Sequence, residues 1–131
     1  MEKTFIMIKP DGVKRGIMGE IISRIEKKGF KIIQAKLFNP SRELIEKHYE
    51  EHKEKVFFSD LIEYILGGPV MAMEVEGESA VEIMRKMIGN KDPKLAELGT
   101  IRGDFANSMN ENVIHGSDSI ESARRELDLW F

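Results

Sequence analysis

The sequence has no cysteine, which excludes disulfides, cysteine-based zinc sites and thiol catalysis. Proline is sparse, with four in 131 residues, so little interrupts regular backbone structure. There is no basic surplus: 20 Lys and Arg stand against 23 Asp and Glu, for a formal net charge of −3. Proteins that neutralise a nucleic-acid backbone normally carry such a surplus. Dedicated nucleic-acid binding is therefore disfavoured, whereas a small anion, which needs only a local cluster of cations, remains open. No apolar run approaches the ~20 residues of a membrane-spanning helix. The opening MEKTFIMIKP lacks the basic start and long apolar stretch of a secretory signal. The expectation is a cytoplasmic protein without a membrane partner.

What is present is an ordinary globular balance, 41% apolar and 33% charged. This length suits one domain spanning residues 1–131, with a single core that removes roughly two-thirds of the unfolded chain's surface from water. The run Thr4–Ile8 is apolar on both faces and predicts a central, buried strand. Pro10-Asp11-Gly12 ends it with turn chemistry. Ile17, Met18, Ile21, Ile22 and Ile25 lie on one helical face, and Gly29 follows two lysines where a helix C-terminal glycine belongs.

A second strand is predicted from Phe30 to Phe38. A helix capped by Ser41 carries Leu44, Ile45, His48, Tyr49 and His52, and a short helix covers Asp60 to Leu66. Val70–Val75 reads as a third strand and Glu78–Ile88 as a helix. Asn90–Asn112 is long, polar and glycine-bearing, as functional loops often are. Val113-Ile114 is a strand fragment. Asp118 with Glu121 resembles a capping box opening a last helix. The order predicts an α/β (α+β) ferredoxin-like βαββαβ domain, an antiparallel sheet with helices on one face.

Several motifs fail. GxxxxGK followed by Ser or Thr is absent, and Gly12, Gly16 and Gly19 do not form GxGxxG. Lys28-Gly29-Phe30 lacks the aromatics of an RNA-binding motif. His48-Tyr49-Glu50-Glu51-His52 matches HxxEH, an inverted zinc-protease pattern whose histidines share a helical face. Such a pattern arises easily in a Glu- and Lys-rich helix, and the short chain leaves little room for a protease cleft.

His115, within Asn112-Val113-Ile114-His115-Gly116-Ser117-Asp118-Ser119, is the stronger candidate. It ends an apolar strand, and Gly116 is expected to leave space around the imidazole. A helix start follows, whose backbone N–H groups favour an anion. Glu126 on that helix is placed to orient the ring. Lys9, Arg85 and Arg102 are the cations that would complete a phosphate site if the fold gathers them, the arginines as donor forks and the lysine as a point charge.

With these residues in view, the chain resembles the nucleoside diphosphate kinase family from Thr4 to Phe131. The resemblance is carried by TFIMIKPDGVKRG, GTIRGDF and NVIHGSDS with the following ESA. It implies that His115 is a nucleophile that takes the γ-phosphate of a nucleoside triphosphate and passes it to a diphosphate, with Glu126 and Ser117 as orienting partners. It further implies phosphate and sugar contacts at Lys9, Tyr49, Arg85, Arg102 and Asn112. Phe57 would stack the base, with Leu61 and Met109 nearby. The family uses Mg²⁺ carried on the nucleotide and assembles as hexamers or tetramers built from dimers. Here a hexamer is the first expectation, and a tetramer or dimer the alternative.

Three positions depart from the family pattern: Lys91 stands for a phosphate-contacting threonine, and Leu98 and Val56 for prolines. Two other readings are a binding protein with weak catalysis and a zinc hydrolase centred on His48 and His52.

Overall fold

The computed structural model describes all 131 residues, Met1–Phe131. Strand β1 (Glu2–Ile8) lies inside a four-stranded antiparallel sheet ordered β2-β3-β1-β4. Its neighbours are β3 (Val70–Gly77) and β4 (Ile114–Gly116), and β2 (Lys31–Phe38) forms the edge beyond β3. Successive side chains of a strand point to opposite faces. Ile6 and Ile8 therefore enter one core with Ile21, Ile25, Met84 and Ile88, and Phe5 and Met7 enter a second core with Ile45, Ile62, Ile65 and Trp130.

This two-sided packing corrects one expectation. The ferredoxin-like strand order holds, but helices cover both faces of the sheet rather than one. Helices α2 (Met18–Lys27) and α5 (Ala80–Ile88) pack on the Ile6 face. Helices α3 (Arg42–His48), α4 (Phe58–Ile65) and α7 (Ile120–Trp130) pack on the Phe5 face. The cause is already in β1 and β3: a strand apolar on both faces must be covered on both.

Local differences follow from capping. Pro10-Asp11-Gly12 forms no simple turn but opens a short helix, α1 (Pro10–Lys14), with proline in its first turn. The last helix is capped by Ser119 rather than Asp118, since the Ser119 hydroxyl accepts from the Ser122 N–H at 3.0 Å. The long polar segment contains a further short helix, α6 (Ile101–Phe105), capped by the Thr100 hydroxyl. Gly29 closes α2 at φ +98°, a conformation glycine adopts without steric cost.

Candidate active site

The site is assembled where β1 and β4 meet. His115 is the central residue of β4 and pairs with Met7 of β1. It is held between buried Ile114 and Gly116. Gly116 also has a packing role on the side of α5. A Cβ there would stand 2.6 Å from Ile88 Cδ1, so the glycine admits α5 against the strand.

Immediately before β4, Val113 adopts φ +76°, a conformation disfavoured for a β-branched residue. Two contacts hold it there. The Val113 N–H donates to Asp11 Oδ2 at 3.0 Å, and its carbonyl accepts from the Lys9 N–H at 2.8 Å. The Tyr64 hydroxyl donates to the other Asp11 oxygen. Helix α1 thus clamps the turn that delivers Asn112 and His115.

The ring of His115 is fixed from α7. Its Nε2 lies 2.9 Å from Glu126 Oε1, and the Ser117 hydroxyl donates to the same oxygen at 2.6 Å. An ionised carboxylate only accepts hydrogen bonds, so Nε2 carries the ring proton and the lone pair lies on Nδ1. Glu126 and Ser117 are buried, while the His115 side chain keeps 21% of its surface exposed. A buried partner therefore leaves the Nδ1 lone pair free on a ring that remains reachable.

Around this ring the chain buries cations. Lys9 Nζ donates to Asn112 Oδ1 at 2.8 Å. Burial first and the charge of Arg102 second push the Lys9 ammonium down to about 7, with Asp11 opposing both. Arg102 threads the polar segment, donating to the carbonyls of Asn112 at 3.3 Å, Gly89 at 3.1 Å and Ile114 at 2.6 Å. Its guanidinium is lowered to about 10 by burial first and by Arg85 second, while Tyr49 acts the other way. Arg85 itself is exposed on α5. Tyr49 is buried with no partner for its hydroxyl, and burial followed by the charge of Glu126 raises its pKa. Desolvated cations beside an unpartnered donor favour an anion, which restores part of the solvation they have lost.

The remaining expected residues lie farther out. Phe57 stands at the start of α4, 49% exposed. Leu61 sits one helical turn later, its N–H bonded to the Phe57 carbonyl at 3.0 Å. Met109 is half-exposed, and its carbonyl accepts from Asn112 Nδ2 at 3.1 Å. Lys91 is exposed and makes no salt bridge or side-chain hydrogen bond. Val56 and Leu98 are both exposed, so neither departure from proline disturbs a core.

The HxxEH pairing fails because α3 stops at His48 and a separate 3-10 turn, Glu50–His52, follows. His48 faces Trp130 and His115, whereas His52 lies beside Glu51 and the Phe57 ring. Three residues beside the His115 ring and its turn carry little signal in the sequence. Asp11 carries no signal beyond turn chemistry, and His48 stands in the sequence only as half of a zinc-protease pattern. Trp130 offered only one hint, being the chain's single tryptophan.

A ferredoxin-like α/β domain with a carboxylate-anchored histidine, buried Lys9 and half-buried Arg102 suits a phosphotransferase architecture. The nucleoside diphosphate kinase family model matches residues 2–131. The chain is 60% identical to a nucleoside diphosphate kinase of Exiguobacterium sp., with 100% of this chain and 94% of the relative covered. It is 59% identical to one of Saccharolobus islandicus, covering 100% and 95%. The crystal structure of nucleoside diphosphate kinase from Encephalitozoon cuniculi, apo, superposes with a TM-score of 0.98 at 46% identity, covering 100% of this chain and 89% of that one. A Babesia bovis family member gives 0.97 at 50% identity, covering 100% and 88%. This chain belongs to the nucleoside diphosphate kinase family, whose members are phosphotransferases.

Proposed function

We propose that the protein transfers the γ-phosphate of a nucleoside triphosphate, typically ATP, to a nucleoside diphosphate through phosphorylated His115. The observation that carries this reading is the 2.9 Å contact between His115 Nε2 and Glu126, which leaves the Nδ1 lone pair free. In the first step that lone pair attacks the γ-phosphorus. The bond to the bridging oxygen breaks and the diphosphate departs with its electrons. In the second step a terminal oxygen of an acceptor diphosphate attacks the same phosphorus, and the P–N electrons return to Nδ1. Splitting the transfer lets one site serve donor and acceptor in turn.

The phosphorylated ring retains its Nε2 proton and becomes cationic. The Glu126 carboxylate stabilises that charge, while the Ser117 hydroxyl holds the carboxylate. Lys9, Arg85 and Arg102 neutralise phosphate oxygens, Tyr49 and Asn112 supply polar contacts, and Lys91 reaches the phosphates from the exposed loop. Phosphoryl transfer depends mainly on such positioning and charge stabilisation. Phe57, with Leu61 and Met109, offers the base a stacking surface that accepts any ring.

Mg²⁺ takes octahedral oxygen ligation, keeps several waters and is commonly held through substrate phosphates rather than by a protein cage. The chain's one compact group of potential ligands is His48, His115 and Glu126, two imidazoles and a carboxylate that already accepts twice. That set does not suit Mg²⁺, so the ion belongs on the nucleotide's phosphates and needs no protein ligand.

No helix is long and apolar enough to cross a membrane, and this reading places the protein in the cytoplasm. It also makes the protein a homo-oligomer, a hexamer first. Edge strand β2 supports association because it leaves Ile33 and Leu37 exposed. Light scattering on the eluting protein measures the assembly, and a monomer at micromolar concentration would refute it.

The decisive test is two-step labelling with Mg²⁺ and γ-labelled ATP, followed by GDP. The label is expected to be acid-labile, base-stable, transferable to GTP and absent from His115→Ala. A folded wild-type protein that takes up no label would favour the reading of a binding protein with weak catalysis.

A further inference from the structure

His48 is buried beside the nucleophile and has no role in the scheme above. Its ring meets that of His115 edge-on, with centroids 4.7 Å apart and planes at 80°. One ligand atom from each of His48, His115 and Glu126 lies within 4.8 Å of the others. Two imidazoles and a carboxylate form a donor set that catalytic zinc sites use. A phosphotransferase with such a cluster at its nucleophile risks losing the His115 lone pair to any available transition metal.

Trp130 changes what the cluster can do. Its indole Nε1–H donates to His48 Nδ1 at 2.9 Å, within the buried core. The indole is itself stacked on Phe5, with centroids 5.2 Å apart, so the donor is held in place by packing. An indole N–H can only donate. The His48 Nδ1 lone pair is therefore consumed, and the proton of the neutral ring must sit on Nε2. Neither nitrogen retains a lone pair. Burial first, and the nearby His115 second, hold the His48 pKa well below its ordinary value, consistent with an uncharged ring.

We propose that Trp130 is a positioning residue that locks His48 in its Nε2–H tautomer. The lock keeps the His48–His115–Glu126 cluster from binding transition metals and leaves Glu126 as the only acceptor for the His115 ring. A His48 with a free lone pair would compete for the His115 proton, and would turn three adjacent groups into a zinc site. The consequence for phosphotransfer rests on His115 being the nucleophile. The tautomer and metal-binding consequences do not.

The test exploits the single tryptophan of the chain. Biosynthetic replacement by benzothienylalanine exchanges the indole N–H for sulfur with little change of shape, and Trp130→Phe provides a second removal of the donor. Ring-nitrogen NMR of histidine-labelled protein, with His48 assigned through His48→Gln, reads the tautomer directly. Native protein is expected to show a protonated Nε2 and a bare Nδ1. Zn²⁺ titration should show about tenfold or more tighter binding in the benzothienyl protein, the scale on which groups behind metal ligands act. Co²⁺ should then give the strong visible absorption of a four-coordinate site, and adding His48→Gln should abolish both gains. A native His48 protonated at Nδ1, or equal Zn²⁺ affinity with and without the indole N–H, overturns the proposal. If the ring signals and affinities behave as expected but no phosphate ever reaches His115, the phosphotransfer reading fails and the lock stands.

Discussion

Glu126 on α7 holds the Nε2 edge of His115 on β4 at 2.9 Å, and in doing so determines which nitrogen of that ring keeps a free lone pair. The carboxylate is buried and receives a second hydrogen bond from Ser117 at 2.6 Å, so it has little freedom to move away. Replacing it with Gln removes the charge that balances the phosphorylated imidazole. A charge-assisted hydrogen bond contributes roughly 1.5–3 kcal/mol, so the rate of His115 phosphorylation in Glu126→Gln is expected to fall about 10- to 100-fold. Single-turnover kinetics with ATP measures this, and a rate within twofold of wild type would show that the carboxylate does not orient the ring.

Under the proposed function, Lys9 is expected to make nucleotide binding a proton-linked event. With its ammonium lowered to about 7, about half of the molecules carry neutral Lys9 at that pH. Phosphate oxygens favour the charged form and pull the pKa back up, so binding takes up a proton. Calorimetry in buffers of different ionisation enthalpy should detect up to about half a proton absorbed through Lys9 at pH 7, and almost none well below it. Lys9→Met should lose that component and bind nucleotide more weakly. Identical proton uptake in the variant would assign the linkage elsewhere.

Lys91 occupies an exposed loop position free of internal partners. Its expected role is a charge contact to phosphate in place of a hydroxyl contact. Steady-state kinetics should find Lys91→Thr largely active, whereas Lys91→Glu should raise the apparent KM with little change in kcat, because the contact serves binding rather than the transition state alone. An unchanged KM in Lys91→Glu would remove Lys91 from the site.

Gly103 has a steric role beside Arg102. A Cβ there would lie 1.9 Å from the Glu97 carbonyl oxygen and 2.8 Å from Thr100 Oγ1. A backbone oxygen cannot rotate aside as a side chain does. Gly103→Ala is expected to cost about 1–3 kcal/mol and to displace Arg102, lowering Tm and raising KM together. Thermal unfolding and kinetics on the same sample check this, and a variant with wild-type Tm would mean that the turn relaxes freely.

Much of this protein was legible from local pattern alone. Two-sided apolarity in Thr4–Ile8, a single apolar face in Ile17–Ile25, and capping residues such as Ser41 and Gly29 specify strands, helices and their ends through interactions a few residues apart. The segments around Lys9, Arg102 and His115 likewise carry the resemblance to the family, and residue type limits what each group can donate, accept or attack with. Tertiary structure decided the rest. Only packing could show that α3, α4 and α7 cover the second sheet face, or that Asp11 clamps a left-handed Val113. The same holds for the partnership of Trp130 with His48 across 82 positions of chain. These relations depend on which surfaces meet once the chain has closed, and an interaction between distant segments leaves no periodic trace in either of them.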